Sequence, residues 1–490
     1  MLCLVLAALV MVLALLAPMI QPLDSEGQSS STLEHRNWSS LRSLPRKPTL
    51  LHGSPMQQWL AKSRGTWRVA HIRSQAETTG DGDYVVVLQS QMSNRFCHHV
   101  NTTVNGDAAR SQPLHTREQM TLREALRLLW GEGARHDLRS FYLSSSMDDF
   151  PVSLAEPLLD FLPAGCLCDT FAGFFEEEAE IDCSESPCRD LSSRMWLAAA
   201  GVSTAAHYDV SHNLFLQADG SKTFILAPPS AHRALRLHSS WHGSRRQSQI
   251  HLPDLVGSSS AYSLLGALYR KYVRPVAANS PGPTTRVTLR EGDVLYLPPV
   301  WFHHVFSETA SVGVNIWTAS LDGDVWNRLV GRKDQHASWI GDVCGQVASG
   351  ELLGCVVHAL RWLLAFQAGV PTSLGRGLLE KRVRGLIESR YAPSWEGQAG
   401  IDGFDDGPLL SKGCSSAGAP DPGLSSPPAS KYAHTKLRDA LRAMDAGAGD
   451  LLLDEVVEQA AAWSVGQLGG PAADGRVVRS VLVGCFMAMV

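Results

Sequence analysis

Residues 201–227 read GVSTAAHYDVSHNLFLQADGSKTFILA, and apolar and polar side chains alternate along much of this stretch. A period of two is typical of β-strands, whose successive side chains point to opposite faces. Asp219-Gly220 interrupts the alternation, and this pair is a strong signal for a hairpin turn. The segment therefore predicts two strands, 212–218 and 222–227, joined by a tight turn.

The same pattern continues on both sides of this segment. Short strands separated by Gly, Pro and Asp turns are predicted at residues 195–210, 285–290, 293–297, 302–307 and 311–318. Many short strands in succession indicate a mainly β fold, either a barrel or a sandwich. Earlier in the chain, 120–129 has apolar residues at helical spacing and 140–144 is a short predicted strand.

Beyond residue 322 the strand pattern ends and helical patterns replace it. Helices are predicted at 340–366, 378–391 and 435–464, and residues 396–430 are rich in Gly, Pro, Ser and Asp. The resulting plan is a leader at 1–22, a linker at 23–46, a barrel domain at 47–322 with its core at 195–320, a helical extension at 323–395, a flexible linker at 396–430 and a C-terminal helical segment at 431–490.

The composition limits the classes of partner. Hydrophobic residues make up 44% of the 490 residues and charged residues 19%, which is enough apolar material for a large core. The formal net charge is -5 at pH 7, whereas nucleic-acid binding normally needs a basic face. A nucleic-acid partner is therefore not expected.

The N-terminus carries a compartment signal. Residues 1–20 contain no charged side chain, which is typical of a secretory signal peptide or of an uncleaved signal anchor. Asn37-Trp38-Ser39 and Asn101-Thr102-Thr103 are N-glycosylation acceptor triplets. We expect the chain in the secretory pathway, either in the endoplasmic reticulum lumen or as a secreted or membrane-anchored glycoprotein.

Four cysteines cluster at Cys166, Cys168, Cys183 and Cys188. In an oxidising compartment this cluster favours one or two disulfides. Structural zinc is the competing interpretation, although the spacing fits the usual zinc ligand patterns poorly.

His207-Tyr208-Asp209 places an imidazole and a carboxylate two residues apart in a strand pattern, so both project to the same side. A later strand supplies His303 and His304, which point in opposite directions, so one of them is the expected partner. Two histidines and one carboxylate are the ligand set of non-haem Fe(II) sites. The alternative is that these histidines only end a strand.

Lys222 follows the Asp219-Gly220 turn and leads an apolar run. If its strand pairs with 212–218, the ammonium group points into the barrel, where a lysine needs an anionic partner. A dicarboxylic cosubstrate would supply that anion, whereas the alternative is a solvated lysine at a turn.

Three motifs, in the same order as in the family, resemble those of the JmjC-domain oxygenases. They are 201–209 continuing to Phe215, 292–298 followed by 301–304, and 312–317. The matching residues are dense between 195 and 320. The chain is particularly similar to the family type that hydroxylates asparagine in hypoxia-inducible factor. The resemblance implies a double-stranded β-helix, the jelly-roll or cupin barrel, with flanking helices and a helical C-terminal region.

The resemblance also assigns roles residue by residue. It implies His207, Asp209 and His303 as ligands of Fe(II), Lys222 and Thr204 at the distal carboxylate of the cosubstrate 2-oxoglutarate, and Asn213, Asn315 and Tyr142 in the cosubstrate pocket. Arg246, Gln247 and Trp317 match positions near the peptide substrate. Members of this family often dimerise through C-terminal helices, so a homodimer is expected here.

The sequence therefore predicts a dioxygenase that uses Fe(II), 2-oxoglutarate and O2 to hydroxylate a protein side chain. N-methyl-lysine demethylation is the other oxygenase outcome. A catalytically silent binding module and a zinc-dependent cupin enzyme are the alternatives from other classes.

Overall fold

The structure is a computed structural model of the chain. It describes residues 33–63, 65–78, 84–91, 95–96, 115–131, 139–146, 192–240, 245–248, 284–330, 339–348, 351–391, 441–467, 478 and 481–486. The leader, Asn101, the cysteine cluster at 166–188 and the linker at 396–430 lie outside the described residues.

The strands form two sheets. The strands are β1 Glu34–Asn37, β2 Thr49–His52, β3 Tyr84–Gln91, β4 Arg95–Phe96, β5 His115–Thr121, β6 Arg139–Ser146, β7 Ser192–Ala198, β8 Ser203–His207, β9 His212–Asp219, β10 Ser221–Ala227, β11 Thr285–Arg290, β12 Val294–Leu297, β13 Phe302–Ser307 and β14 Ser311–Thr318. The larger sheet has nine strands in the order β1-β2-β12-β9-β14-β7-β6-β3-β5, and the smaller has five in the order β11-β10-β13-β8-β4. The mainly β jelly-roll fold predicted from the sequence is confirmed.

Helices lie at both ends of the described chain. They are α1 Pro55–Lys62, α2 Val69–Thr78, α3 Leu122–Trp130, α4 Leu321–Val330, α5 Trp339–Cys344, α6 Leu352–Ala368, α7 Gly375–Arg390 and α8 Ala446–Gln467. Helix α3 begins where the Thr121 hydroxyl accepts a hydrogen bond from the backbone N–H of Glu124, a standard N-cap. Its apolar face, including Leu126 and Leu129, is buried.

The three largest apolar cores hold these layers together. The core between the two sheets contains Phe215 and Leu295 of the larger sheet and Phe224 and Leu289 of the smaller one. A second core packs the other face of the larger sheet against α1, α2 and α3. A third packs the outer face of the smaller sheet against α4 to α8. The barrel is therefore covered by helices on both sides, and its interior lies between the sheets.

The predicted hairpin at Asp219-Gly220 is wrong. Strand β9 belongs to the larger sheet and β10 to the smaller sheet, where β10 pairs with β11 and β13 instead of β9. Gly220 is a corner between sheets, with φ +72° and only 2.1 Å between an added Cβ and the carbonyl oxygen of Ala310. A glycine is required at such a corner because a side chain would meet both obstacles.

Two further element predictions need correction. The predicted strand 195–210 is two strands, β7 and β8, with a turn at Gly201 (φ +88°) between them. Asp209 therefore lies beyond the end of β8. The predicted helix 340–366 is likewise two helices, α5 and α6, which a disulfide between Cys344 and Cys355 connects.

The C-terminal helices share one core with the barrel. Val356 and Leu360 of α6 are buried in the same cluster as Ile225 and Phe302 of the smaller sheet. Among the described residues, Leu374 is the only exposed large apolar side chain. The predicted homodimer through these helices stays a prediction.

Within the described part of the chain, we find no single helix with the length and hydropathy needed to cross a membrane. Helices α6 and α7, taken with the turn before α7, meet that test only as a pair that bends by 114°.

Candidate metal centre

The ligating atoms of His207, Asp209 and His303 lie within 4.8 Å of one another. The two imidazole rings have centroids 4.2 Å apart, and His303 Nε2 lies 3.8 Å from Asp209 Oδ2. His207 ends β8 and His303 is the second residue of β13, and these two residues are paired across the strands. Strand pairing thus holds both histidines at one end of the barrel.

The protein fixes which nitrogen of each histidine faces this centre. Nδ1 of His207 lies 2.8 Å from the carbonyl oxygen of Ala205, and Nδ1 of His303 lies 3.1 Å from that of Trp301. A carbonyl oxygen only accepts, so each Nδ1 carries the proton and each Nε2 keeps its lone pair. Burial and the neighbouring His303 lower the pKa of His207 to about 4, which favours the neutral ligand form.

Asp209 is oriented by two side-chain donors. Trp317 Nε1 donates to Asp209 Oδ2 at 3.0 Å, and Asn213 Nδ2 donates to the same oxygen at 3.3 Å. Asn315 Nδ2 in turn donates to Asn213 Oδ1 at 2.6 Å. Asn213 and Asn315 were predicted to line the cosubstrate pocket and Trp317 to lie near the substrate. The contacts add a second role, which is support of the carboxylate.

The backbone also joins the two halves of the centre. The N–H of Val300 donates to the carbonyl oxygen of Asp209 at 2.6 Å, which ties the turn before β13 to the turn after β8. Val300 is fully buried and has φ +65°, a conformation that costs a β-branched residue free energy. A register shift follows His303, where β8 has one more residue than β13, and such bulges redirect side chains near functional sites.

His304 lies outside this cluster. It is buried, with 1% of its surface exposed, and is paired with Ile225 on β10. The structure thus brings His303 to the other two ligands and leaves His304 on the opposite face of β13, as strand alternation requires.

Lys222 lies inside the barrel, only 1% exposed. Its Nζ is 5.6 Å from the ring centroid of Tyr142 and 5.7 Å from that of Phe215. No carboxylate among the described residues forms an ion pair with it, and burial lowers the pKa of Lys222 to about 7. The Tyr142 and Thr204 side chains are joined by a hydrogen bond, and burial raises the pKa of Tyr142 well above its usual range. Three of the predicted cosubstrate residues thus form one cluster.

Gln247 lies next to His207, and Arg246 directly precedes it in the chain. Gln247 is buried and forms a single β-bridge with His207. The Arg246 guanidinium lies 5.8 Å from the ring centroid of Tyr208, the residue between the two ligands His207 and Asp209. The predicted role of Arg246 and Gln247 in contacting the substrate stays a prediction.

Sequence reasoning missed several parts of the site. The carbonyl groups of Ala205 and Trp301 carry no side-chain signal, because every residue has one. Glu455 and Gln459 of α8 line a cavity together with Val210 and Ser211, the residues directly after Asp209. Only the tertiary fold could place them there.

The donor set fits a first-row divalent metal. Two neutral imidazole nitrogens and one carboxylate on a common face are the ligands that Fe(II) oxygenases use, and they leave the remaining positions open. The carboxylate and both rings already have the outer hydrogen bonds that metal ligands usually have. The residues of this site therefore fit Fe(II).

The fold and this site define a cupin-type protein. Residues 43–321, more than half of the chain, match the family model described as a cupin-like domain, and the chain belongs to that family.

Individual relatives match shorter stretches. The chain is 32% identical over 134 residues to lysine-specific demethylase JMJ31 of Arabidopsis thaliana, covering 27% of this chain and 22% of that protein. It is 30% identical over 171 residues to tRNA wybutosine-synthesizing protein 5 of Homo sapiens, covering 34% and 44%. It is 29% identical over 126 residues to bifunctional peptidase and (3S)-lysyl hydroxylase JMJD7 of Homo sapiens, covering 25% and 40%. The matches thus span less than half of these relatives.

Proposed function

We propose that this protein is an Fe(II)- and 2-oxoglutarate-dependent dioxygenase of the JmjC type that hydroxylates a side chain of a protein substrate. The observation that carries the proposal is the convergence of His207, Asp209 and His303, with both imidazole Nδ1 atoms engaged by the backbone. These residues would hold iron(II), which supplies the oxidation of a C–H bond by O2 coupled to decarboxylation of 2-oxoglutarate.

The cosubstrate site rests on Lys222, Tyr142 and Thr204. A buried ammonium group costs free energy unless an anion compensates it, and burial already lowers the pKa of Lys222 to about 7. The distal carboxylate of 2-oxoglutarate would supply the charge. One of the linked hydroxyl groups of Tyr142 and Thr204 would donate a hydrogen bond to it, because the other uses its single proton in the bond between them. The aromatic rings of Tyr142 and Phe215 lie near Lys222, which is only 1% exposed.

The relatives support an oxygenase, but they do not distinguish hydroxylation from demethylation. One is named as a lysyl hydroxylase and another as a lysine-specific demethylase, at similar identity. We favour side-chain hydroxylation, with the asparaginyl type as the specific expectation, because Arg246 and Gln247 lie beside His207 at the predicted substrate positions. Demethylation is the second candidate.

The test is a turnover assay with the full chain, Fe(II), 2-oxoglutarate and a broad peptide panel. We expect succinate to form and the target peptide to gain one oxygen, whereas a demethylase would remove a methyl group. The variant His207→Ala, Asp209→Ala should form no succinate. Absence of both succinate and 2-oxoglutarate binding in the wild type would contradict the proposal and favour a binding module. Zinc as the metal retained after anaerobic purification would favour a zinc-dependent cupin enzyme.

We further propose that the protein works in the oxidising lumen of the secretory pathway. Cys344 and Cys355 form a disulfide, Cys485 is also disulfide-bonded, and such bonds persist in oxidising compartments. Asn37 of an acceptor triplet is exposed on β1, and its side chain does not cap the following turn. Glycosidase treatment of protein from secretory cells should remove more mass from the wild type than from Asn37→Gln. An unglycosylated protein with reduced cysteines would contradict this location.

A further inference from the structure

The backbone directly after the ligand Asp209 contacts the beginning of α4. Ser320 precedes this helix and is 6% exposed. Its hydroxyl donates a hydrogen bond to the carbonyl oxygen of Val210 and accepts one of 2.9 Å from the backbone N–H of Gly323. The bond from Gly323 is that of a helix N-cap, and it leaves the hydroxyl proton for Val210. One serine side chain thus starts α4 and holds the backbone next to Asp209.

Gly323, in the first turn of α4, lies against the same carbonyl group. A Cβ added at Gly323 would lie 2.8 Å from the carbonyl oxygen of Val210 and 3.1 Å from Ser320 Oγ. The nearer atom belongs to the backbone, so it cannot rotate away as a flexible side chain would. Glycine is therefore required where α4 approaches Val210.

The residue before Asp209 contacts the same helix through its side chain. The ring of Tyr208, which is 1% exposed, has its centroid 5.5 Å from that of Trp326 on α4. It also lies 5.3 Å from the ring centroid of Phe302 on β13. These are ordinary distances for packed aromatic pairs. Helix α4 thus contacts both neighbours of Asp209, Tyr208 through an indole ring and Val210 through Ser320 and the close approach of the helix.

Helix α4 connects the metal centre to the C-terminal helices. Leu329 of α4 is buried in one core with side chains of α6 and α8. His207 and His303 are held by the pairing of β8 with β13. Asp209 lies beyond the end of β8, so this pairing does not hold it in the same way. Contacts with α4 are therefore a second source of order for the third ligand.

We propose that Ser320 and Gly323 are positioning residues of the metal centre, which hold Asp209 in place through the backbone of Val210. The inference rests on the proposed function and gives the C-terminal helices a role in it. Functional side chains must be held within about 0.5 Å of their working geometry. The indole and amide donors restrain the carboxylate itself, whereas the start of α4 holds the backbone that carries it.

The first test compares Ser320→Ala with Ser54→Ala. Ser54 is 1% exposed and caps α1, which packs on the outer face of the larger sheet. Both variants lose an N-cap, so both should have a lower Tm. Only Ser320→Ala should weaken Co(II) binding in chelator competition, by about tenfold, the lower end of the range for residues that support a metal ligand. Ser320→Thr keeps the hydroxyl and should restore most of this affinity.

The second test compares Gly323→Ala with Gly377→Ala. A Cβ added at Gly377, on α7, meets no atom within 4 Å. Because alanine favours a helix more than glycine does, Gly377→Ala should raise the Tm slightly and leave Co(II) affinity unchanged. Gly323→Ala should lower Co(II) affinity and change the visible spectrum of bound Co(II), because the carbonyl group of Val210 must move.

Hydrogen exchange in the metal-free protein gives a readout that does not depend on the metal. The backbone N–H of Val300 donates to the carbonyl oxygen of Asp209 at 2.6 Å, so its exchange rate reports the order of this turn. The Val300 amide should exchange faster in Ser320→Ala than in the wild type. It should exchange at the wild-type rate in Ser54→Ala.

The outcomes separate this proposal from the proposed function. Wild-type Co(II) affinity and wild-type exchange in Ser320→Ala and Gly323→Ala would overturn the positioning role and leave the oxygenase intact. Equal losses of affinity in Ser320→Ala and Ser54→Ala would also overturn it, because general helix stability would then explain the effect. A folded wild-type protein that binds no Co(II) would contradict the proposed function itself, and the positioning role would fail with it.

Discussion

The indole N–H of Trp317 and the carboxylate of Asp209 form a hydrogen bond of 3.0 Å between Nε1 and Oδ2, across the end of the barrel. Trp317 lies on β14 and Asp209 lies in the turn between the two sheets. Because Asp209 has left the regular strand, its side chain has no pleat to orient it. The indole and the Asn213 amide restrain it instead.

Trp317→Phe should therefore weaken metal binding while the fold survives. Phenylalanine keeps much of the packing but removes the donor to Asp209, and loss of such an outer hydrogen bond typically costs 10–100-fold in metal affinity. Chelator competition with Co(II) measures this affinity. Trp196→Phe is the matched control, because the Trp196 indole N–H is buried without a hydrogen bond among the described residues. Equal losses in both variants would show that ring size, rather than the donor, matters.

Asn213 and Asn315 should act as one unit. Among the described residues, Asn315 is linked to Asp209 through Asn213, to which it donates at 2.6 Å. We expect Asn213→Ala to lower metal affinity more than Asn315→Ala does, and the double variant to be no worse than Asn213→Ala. This non-additivity is measured as a double-mutant cycle in the same chelator assay. Strictly additive losses would mean that the two amides act independently.

Lys222→Met should stabilise the protein at neutral pH. Burial lowers the pKa of Lys222 to about 7, whereas lysine in an unfolded chain titrates near pH ~10.4. Between these values the unfolded chain binds one more proton, so the wild-type free energy of unfolding rises with pH across that window. The variant lacks this pH-dependent contribution of Lys222. Its Tm should therefore exceed that of the wild type at pH 7, and the difference in Tm should become smaller towards pH 10.

Added 2-oxoglutarate tests whether Lys222 binds the cosubstrate. It should raise the Tm of the wild type and leave that of Lys222→Met nearly unchanged, because the anchoring charge is gone. Lys381→Met, an exposed substitution on α7, is the control for both measurements. A lower Tm for Lys222→Met at pH 7 would show that the ammonium group is compensated in the free protein.

Arg390→Met should destabilise the docking of α8. Arg390 forms buried ion pairs with Glu455 and Glu458, and the substitution leaves two buried carboxylates without it. Removing one partner from a buried network costs about 3–5 kcal/mol. Denaturant unfolding should show a loss of this order, compared with about 0.5 kcal/mol for Arg384→Met, whose pair with Glu380 is exposed. Similar values for both variants would mean that the Arg390 ion pairs contribute little to the docking of α8.

Local sequence patterns predicted most of the fold. The period of two located β9 to β14 within a few residues, because side-chain alternation is a property of each strand by itself. Asp219-Gly220 could not distinguish a hairpin from a corner, since both need a residue with positive φ. The choice depends on which strands pair, and pairing partners such as β10 and β13 are about 80 residues apart in the chain.

In the candidate site too, local patterns identified some residues, whereas contacts that depend on the tertiary fold could not be predicted. His207, Asp209 and His303 were chosen from strand alternation and motif resemblance, and the fold brings them together. The support of Asp209 by Trp317 depends on the pairing of β9 with β14, and the wall formed by Glu455 depends on the docking of α8. Neither distance along the chain nor composition encodes these contacts. The disulfide of Cys344 and Cys355 was missed for a similar reason, because cysteine count does not give connectivity.

An anaerobic titration of the full chain with Fe(II) and then 2-oxoglutarate tests the central claim most directly. Chelation of a 2-oxo acid by iron(II) gives a visible charge-transfer band, and we expect it to appear with one equivalent of each. It should be absent in His303→Ala, which removes a ligand, and weakened in Lys222→Met, which removes the carboxylate anchor. No band in the folded wild-type protein, or a band of unchanged intensity in His303→Ala, would contradict the assignment of this site.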